Sequence, residues 1–300
     1  MLNKIRLVML SAIMITLMSV LPVVTVRADG NLLRGFDVPA TTPFGNGQRT
    51  LPSIYWPIGV TFDGTNIWYS QPCTCTSDIF QSTTHGVLLN TLKELKEAGA
   101  LAWDGSHLWV GVAKEKPLTC VAGVTGCAFL SEVDVSTGKV LKTVDISAVF
   151  APDQECGFID GLSFDAATGT FWVSPDIGCL SGGSVNPCTV GFVYNVDSSG
   201  NLIKRVQLPF GVAGDSKVGD NLYLVSCKPS GATGRPVIKT TLDGTVISTF
   251  FTVSVSGNRE SAESIAFDPV TFAPACALWA NQGYNLPFDA SLAAYQIPCP

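Results

Sequence analysis

A unit of two short strands joined by a turn recurs along this chain and restricts the folds that it can adopt. Each unit has an apolar strand, a turn that contains Asp, and a second strand that carries Trp or Tyr. The copies are GVTFDGTNIWYS (59–70), ALAWDGSHLWVG (100–111), GLSFDAATGTFWVS (161–174), SKVGDNLYLVS (216–226) and SIAFDPVTFAPACALWA (264–280). Repetition of such hairpins predicts an all-β repeat fold.

The turn aspartates of these units are predicted to be structural. They are Asp63, Asp104, Asp165, Asp220 and Asp268. Asp and Gly tolerate the backbone angles that tight hairpin turns require, so backbone geometry is sufficient to explain them.

A second hairpin with alternating apolar residues follows each unit except the last. These hairpins lie at 79–92, 131–147, 191–209 and 235–253, and the last copy supplies only its third strand, SLAAYQIP (291–298). The missing fourth strand matches DGNLLRGFDVP (29–39), which is similar to SGNLIKRVQLP and TGKVLKTVDIS in the other copies. Pairing these two ends would close a ring and hide its open edges. We therefore predict a five-bladed β-propeller; a six-bladed ring and an open β-solenoid are the alternatives.

Residues 1–28 have the pattern of a secretory signal peptide. Lys4 and Arg6 precede an apolar run from Leu7 to Val24, and VRAD then predicts cleavage after Ala28. We therefore expect one propeller domain at 29–300, in an extracellular or periplasmic location. An uncleaved membrane anchor is the alternative, because an apolar run of this length can just span a bilayer.

The charge and the cysteines limit the partners and the compartment. A net charge of −6 argues against a nucleic acid partner. Ten Cys in an exported chain favour disulfides. The pairs predicted from their places at short loops or adjacent strands are Cys120–Cys127, Cys179–Cys188 and Cys276–Cys299. The pairing of the other four stays open, namely Cys73, Cys75, Cys156 and Cys227.

Acidic residues recur at the start of the innermost strand. The residue five places before each turn aspartate is, in order, Ile58, Gly99, Asp160, Asp215 and Glu263. In a propeller these positions converge at one end of the central channel. Carboxylates brought together raise one another's pKa unless a cation or a shared proton relieves them, and hard oxygen ligands favour calcium or magnesium. We therefore predict that Asp160, Asp215 and Glu263 hold Ca²⁺ or another divalent cation, or act as catalytic carboxylates.

Several further residues are candidates for the periphery of this site. They lie on the same face by strand order, and they are Gln71, Asp176, Asn281 and Trp56. His85 and His107 lie at turns on the opposite face, so we do not expect either to be catalytic.

The segment FIDGLSFDAATGTFWVS (158–174) resembles the repeat of the gluconolactonase-like (senescence marker protein) and NHL-type propellers. In those repeats the first acidic or amide residue contacts a divalent cation. The resemblance implies that role for Asp160, with Gly161 in the matching glycine place, whereas Asp215 and Glu263 match by blade alignment only. That enzyme family is typically six-bladed, so the resemblance supports the fold more than lactone hydrolysis.

Two classes of function agree with these features. The first is a monomeric, exported platform that binds a small molecule, a glycan or a protein. The alternative is an enzyme, either a metal-dependent hydrolase of lactones or esters or a carboxylate-based glycoside-cleaving enzyme. The sequence contains neither a G-x-S-x-G nor an H-E-x-x-H motif, which favours the binding function.

Overall fold

The computed structural model describes residues 29–38, 59–70, 78–93, 95, 98–113, 120, 122–123, 125–155, 157–176, 189–226, 235–252, 262–283 and 290–300. These residues form antiparallel four-stranded sheets, five in number, each a blade of the propeller. The predicted five-bladed all-β fold is thereby confirmed.

The blades follow one another along the chain, and the first strand of each is innermost. Blade 5 takes β1 (Leu32–Asp37) as its outermost strand. Blade 1 comprises β2 (Val60–Phe62), β3 (Asn66–Ser70), β4 (Ile79–Thr83) and β5 (Leu88–Leu92). Blade 2 comprises β6 (Ala98–Trp103), β7 (Leu108–Ala113), β8 (Ala128–Asp134) and β9 (Lys139–Asp145).

The remaining blades have the same order. Blade 3 comprises β10 (Ile159–Asp165), β11 (Thr170–Pro175), β12 (Gly191–Val196) and β13 (Leu202–Leu208). Blade 4 comprises β14 (Val212–Val218), β15 (Asn221–Ser226), β16 (Pro236–Thr241) and β17 (Val246–Phe251). Blade 5 begins with β18 (Ile265–Asp268), β19 (Cys276–Gly283) and β20 (Ala290–Ile297). A short helix, α1 (Ser147–Phe150), and a 3₁₀ turn (Ala151–Asp153) connect blades 2 and 3.

The amino-terminal strand closes the ring. β1 pairs antiparallel with β20, with Arg34 opposite Ala294 and Phe36 opposite Leu292. Both neighbours of blade 5 also contact this strand or its turn: a Cβ at Gly86 of blade 1 would lie 2.7 Å from the Phe36 ring, and a Cβ at Gly30 would lie 2.6 Å from the Phe250 ring of blade 4. The predicted pairing of the two chain ends is therefore confirmed, and the inner strands β18 and β2 meet across the same junction.

The core lies between the blades. Trp109 of blade 2 packs on Phe171 of blade 3, with ring centroids 4.6 Å apart, and the Trp68 and Trp279 side chains are fully buried. Both faces of each sheet are covered by neighbouring blades, which explains why the second strand of each unit carries a large aromatic residue.

The turn aspartates have the predicted structural role in four units. Asp63 accepts backbone N–H bonds from Thr65 and Asn66, and its other oxygen accepts a bond of 2.8 Å from Trp68 Nε1. Asp104 and Asp268 bind the Nε1 atoms of Trp109 and Trp279 in the same way. Asp165 accepts the Ala167 N–H in its turn, and its carboxylate forms an ion pair of 2.9 Å with Lys217 of blade 4.

Two predicted disulfides are present, Cys120–Cys127 with a Cα–Cα distance of 5.5 Å and Cys276–Cys299 with one of 5.1 Å. The other six cysteines lie outside the described residues, including the predicted pair Cys179–Cys188. Disulfides indicate an oxidising compartment. Within the described ranges no helix has the length and apolarity to cross a membrane.

Candidate functional site

The strand connections define two faces of the propeller. On the upper face the second strand of a blade leads to its third, and the fourth leads to the next blade. The lower face carries the short turns that join the first strand to the second and the third to the fourth. The inner strands β10 and β18 start at the upper face, so the residues at their starts lie there beside the channel.

The strand register shows which acidic residues are equivalent. Asp160 is the bulged residue between the pairs Ile159–Pro175 and Gly161–Ser174. In blade 5 the Asn281 N–H donates to Ser264 O at 3.4 Å, so Ser264 lies opposite Asn281 as Gly161 lies opposite Ser174 in blade 3. Glu263, the residue before Ser264, therefore occupies the place of Asp160. These positions agree with the sequence alignment for blades 3 and 5.

In blade 4 the alignment is wrong by two residues. Val212 pairs with Ser226 and Gly214 with Val225, so Ala213 is the bulged residue and the equivalent of Asp160. The hairpin of blade 4 has a two-residue turn, since Val218 pairs with Asn221, whereas Asp165 pairs with Thr170 across a longer turn. Counting back from Asp220 therefore selects Asp215, which lies farther along β14.

Asp160, Asp176 and Glu263 form an acidic cluster on the upper face. The Asp160 carboxyl group is in hydrogen-bond contact with that of Asp176, which follows β11 and whose N–H donates to Phe158 O at 2.9 Å. Glu263 forms an ion pair with Arg235, the residue before β16. Asp160 is 3% exposed and Glu263 is 7% exposed. Blades 3, 4 and 5 thus all contribute to this cluster.

The cluster carries more negative charge than its surroundings neutralise. Burial raises the pKa of Asp160 well above its usual range, and the charges of Asp176 and Glu263 raise it further, while Arg235 opposes them. Burial likewise raises the pKa of Glu263 to about 7, against the lowering effect of Arg235. Asp160 Oδ1 is buried without a hydrogen-bond partner among the described residues. A cation would supply the partner that this oxygen lacks, whereas a proton would only remove the charge of the carboxyl group.

The hydrogen bonds of the Asp215 side chain go to residues outside this acidic cluster. Its side chain is fully buried between blades 3 and 4, where Ser163 Oγ donates at 2.7 Å and Ser174 Oγ lies at 3.1 Å. Burial raises the pKa of Asp215 to about 7, and the hydrogen bonds from Ser163 and Ser174 oppose that shift.

The predicted peripheral residues have different positions. Asp176 belongs to the cluster itself. Asn281 Oδ1 accepts the N–H groups of Glu263 and Ser264, at 2.9 and 2.8 Å, and so fixes the backbone that carries Glu263. Gln71 and Trp56 lie outside the described residues. Sequence reasoning missed Arg235, because no residue pattern indicates that the start of β16 faces blade 5.

A different group has the distances of a metal site. Ligand atoms of Asp104, His107 and Glu132 lie within 4.8 Å of one another, so these residues could hold an ion. Within the described ranges, neither the predicted set of Asp160, Asp215 and Glu263 nor the acidic cluster of Asp160, Asp176 and Glu263 forms a group with these distances. His107 Nδ1 lies 3.1 Å from Glu132 Oε1, on the lower face.

Hydrogen bonds at the Asp104 turn are an alternative reason why Asp104, His107 and Glu132, the lower group, lie close together. Asp104 Oδ1 accepts the His107 N–H, and Asp104 Oδ2 accepts Trp109 Nε1. Blade 1 has a similar brace, in which Gln81 Nε2 donates to Asp63 Oδ2 at 3.2 Å. The lower group therefore repeats a structural feature of the blades.

Buried carboxyl groups should make stability decrease as the pH rises. Burial raises the pKa of Asp215, Glu263 and Glu155 to about 7, above the value near 4 of an unfolded chain. Their folded forms therefore hold protons that the unfolded chain releases, so this stabilisation is complete below about pH 4 and is lost as the pH passes 7. We expect the free energy of unfolding in urea to fall between pH 5 and 8, by up to about 1.4 kcal/mol per pH unit and group.

The variants Asp215→Asn and Glu155→Gln should each flatten that pH dependence, whereas the exposed Asp243→Asn should leave it unchanged. Unfolding free energies that are constant or increase from pH 5 to 8 would contradict the buried, protonated state of these groups.

The fold is shared with solved structures of low sequence identity. Glutaminyl cyclase from Myxococcus xanthus matches with a TM-score of 0.54 and 12% identity, over 89% of this chain and 96% of the cyclase. A tail fiber of Staphylococcus aureus phage P68 matches with a TM-score of 0.51 and 12% identity, over 89% of this chain and 52% of the fiber chain. At these identities the likeness shows the fold alone. No family model and no curated protein matches the chain, so the resemblance to gluconolactonase-like and NHL-type propellers is one of fold and repeat.

Proposed function

We propose that this protein is an exported β-propeller that binds its ligand at the upper end of the channel, with a divalent cation held in the acidic cluster. The observation that carries the proposal is Asp160 Oδ1, a buried carboxyl oxygen without a hydrogen-bond partner among the described residues, in a group that already contacts Asp176. Two carboxylates in contact need a shared proton or a cation between them.

The donor set favours calcium. Asp160 and Asp176 supply only oxygen atoms, and Glu263 adds negative charge beside them. Hard oxygen donors select calcium or magnesium over zinc, and calcium accepts the irregular, partly solvated coordination that two adjacent carboxylates offer. Three carboxylates and the Arg235 guanidinium leave a net charge of −2 when all are ionised, which a divalent cation balances.

A melting experiment tests this proposal. A cation that binds only the folded protein at a concentration of about 100 Kd should add about 2.7 kcal/mol, which corresponds to a rise in Tm of roughly 5 °C or more. We expect calcium to produce this rise in the wild type and Asp160→Asn to abolish it.

Glu132→Gln is the control variant, because it alters the lower group of Asp104, His107 and Glu132 and leaves the acidic cluster intact. It should retain the full response to calcium. A response lost in Glu132→Gln and kept in Asp160→Asn would place the cation on the lower face, and a wild-type Tm unchanged by calcium, magnesium and manganese would refute a cation site.

A second candidate function is acid–base catalysis by the Asp160–Asp176 pair. Two carboxyl groups that share a proton can supply a general acid and a general base. The pair is in hydrogen-bond contact, closer than the roughly 5–9.5 Å that separates the carboxyl groups of glycosidases, so it does not support glycoside cleavage. Lactones and esters remain candidate substrates.

Turnover of these substrates by the wild type, with and without calcium, distinguishes the two functions. Activity that Asp160→Asn abolishes and Glu132→Gln retains would establish the enzyme. Binding without turnover would support the platform.

A further inference from the structure

We propose that Asp215 is a neutral positioning residue that fixes the two strands carrying Asp160 and Asp176, and is not itself a ligand of the cation. This inference deepens the proposed function and rests on it for one of its two tests. It starts from the hydrogen bonds around Asp215, which connect blade 4 to both inner strands of blade 3.

The hydrogen-bond pattern is complete when the carboxyl group carries a proton. Ser163 Oγ accepts the Lys217 N–H at 3.1 Å and donates to Asp215 Oδ1 at 2.7 Å. Ser174 Oγ lies 3.2 Å from Ala213 O and 3.1 Å from Asp215 Oδ2, but it has only one proton. Ser174 Oγ can therefore donate to Asp215 Oδ2 or to Ala213 O, while the Ser174 backbone N–H bonds the same carboxyl group. A protonated Asp215 Oδ2 can instead donate to Ser174 Oγ, which leaves the Ser174 proton for Ala213 O and no charge buried.

The two serines belong to the strands that hold the Asp160–Asp176 pair. Ser163 lies in β10, three residues after Asp160, and Ser174 lies in β11, two residues before Asp176. The Asp215 carboxyl group also lies directly against Gly161, since a Cβ there would be 2.5 Å from Asp215 Oδ2. The side chain from blade 4 thus holds the bulge at Asp160 and the end of β11 in one arrangement.

Asn281 performs the corresponding task for Glu263, by accepting two backbone N–H bonds at the start of β18. Every acid of the cluster therefore lies next to backbone that a buried polar side chain fixes. Groups that orient ligands in this way typically alter metal affinity by about 10–100-fold when they are removed.

The first test measures the calcium concentration that gives half of the maximal rise in Tm. Asp215→Ala should raise this concentration about tenfold or more. Asp215→Asn should keep it within about threefold, because the amide can accept from Ser163 and donate to Ser174 as the neutral acid does. Ser163→Ala removes the bonds of Ser163 Oγ to Asp215 Oδ1 and to the Lys217 N–H but keeps the contact of Asp215 with Ser174. It provides a milder variant should Asp215→Ala fail to fold, and it should raise the concentration as well.

Ser70→Ala is the matched control. Ser70 Oγ accepts the Gly59 N–H at 2.8 Å and donates to Gly99 O at 2.5 Å, so it bridges blades 1 and 2 as Ser174 bridges blades 3 and 4. This variant should lower Tm without changing the calcium concentration at half-maximal rise. If Ser70→Ala and Asp215→Ala raised the calcium concentration at half-maximal rise equally, Asp215 would only stabilise the fold and would have no specific role at the cation site.

The second test requires no calcium. The carboxyl ¹³C resonance of Asp160, assigned with Asp160→Asn, reports the titration of that group directly. Asp215→Ala or Ser163→Ala should shift the titration midpoint of Asp160 by about one pH unit or more, because its carboxyl group then moves relative to that of Asp176. Asp215→Asn and Ser70→Ala should not.

The outcomes separate the inference from the proposed function. A wild type that does not respond to calcium refutes the cation site, and the ¹³C titration then decides the role of Asp215. Unchanged titration and unchanged calcium response in both Asp215→Ala and Ser163→Ala would overturn the inference, as would Asp215→Asn behaving like Asp215→Ala.

Discussion

Deletion of residues 29–38 is expected to abolish the stable folded state. The deletion removes β1, so β20 becomes an open edge and the Trp279 side chain loses its contact with the Phe36 ring, whose centroid lies 5.9 Å away. Val38 is buried and Leu33 and Phe36 are half-buried, so at about 1.5–3 kcal/mol for a fully buried side chain their burial is together worth roughly 3–6 kcal/mol. A domain typically has only about 5–15 kcal/mol of stability in total.

Urea unfolding followed by circular dichroism and tryptophan fluorescence measures this effect. Appending residues 29–38 after Pro300 provides the control, because β1 runs antiparallel to β20 and the turn at 29–31 could then join them as a hairpin. The rearranged chain should recover most of the lost stability. A deletion variant that unfolds cooperatively at the wild-type urea concentration would show that β1 contributes little to ring closure.

Gly161→Ala is expected to destabilise the protein by about 3 kcal/mol and to abolish its response to calcium. A Cβ at this position would lie 2.5 Å from the Asp215 backbone nitrogen and closer still to Ser174 Oγ. Backbone cannot move aside as a flexible side chain can, so blades 3 and 4 would have to separate. Asp160, the next residue in the chain, would move with β10.

Gly64→Ala is the comparison for this variant. A Cβ there would meet nothing within 4 Å, so the substitution only incurs the backbone strain of a positive φ of 96°, about 1–2 kcal/mol. It should leave the calcium response intact. Equal losses of stability in the two variants, with calcium binding retained in both, would contradict the close packing of blades 3 and 4 at Gly161.

The acidic cluster was only partly predictable. Asp160 and Glu263 follow from the repeat, because their hairpins place a turn aspartate at the same distance from the inner strand's start. Asp215 is not the equivalent of Asp160, because the two-residue turn at Gly219 and Asp220 changes the count from the turn aspartate. A bulge or a shorter turn alters the register of one hairpin without disturbing its apolar alternation, so composition and periodicity do not reveal it.

Arg235 and the contact between Asp160 and Asp176 were beyond sequence reasoning. Arg235 comes from blade 4 and pairs with Glu263 of blade 5, and Asp176 reaches Asp160 only because β11 ends beside the bulge in β10. Such contacts depend on how closely neighbouring blades approach, which the side chains between them decide.

The sequence by itself determined the hairpins, their number and the partner of the amino-terminal strand. These features depend on alternation of apolar residues and on turn chemistry, which are local and recur from copy to copy. The local disulfide Cys120–Cys127 was predictable for the same reason. Only the tertiary structure decided which polar side chains meet, because that depends on strand register and on the packing of one blade against the next. Burial between blades also raises the pKa of Asp215 and of Glu263, and no sequence pattern specifies how deeply a carboxyl group is buried.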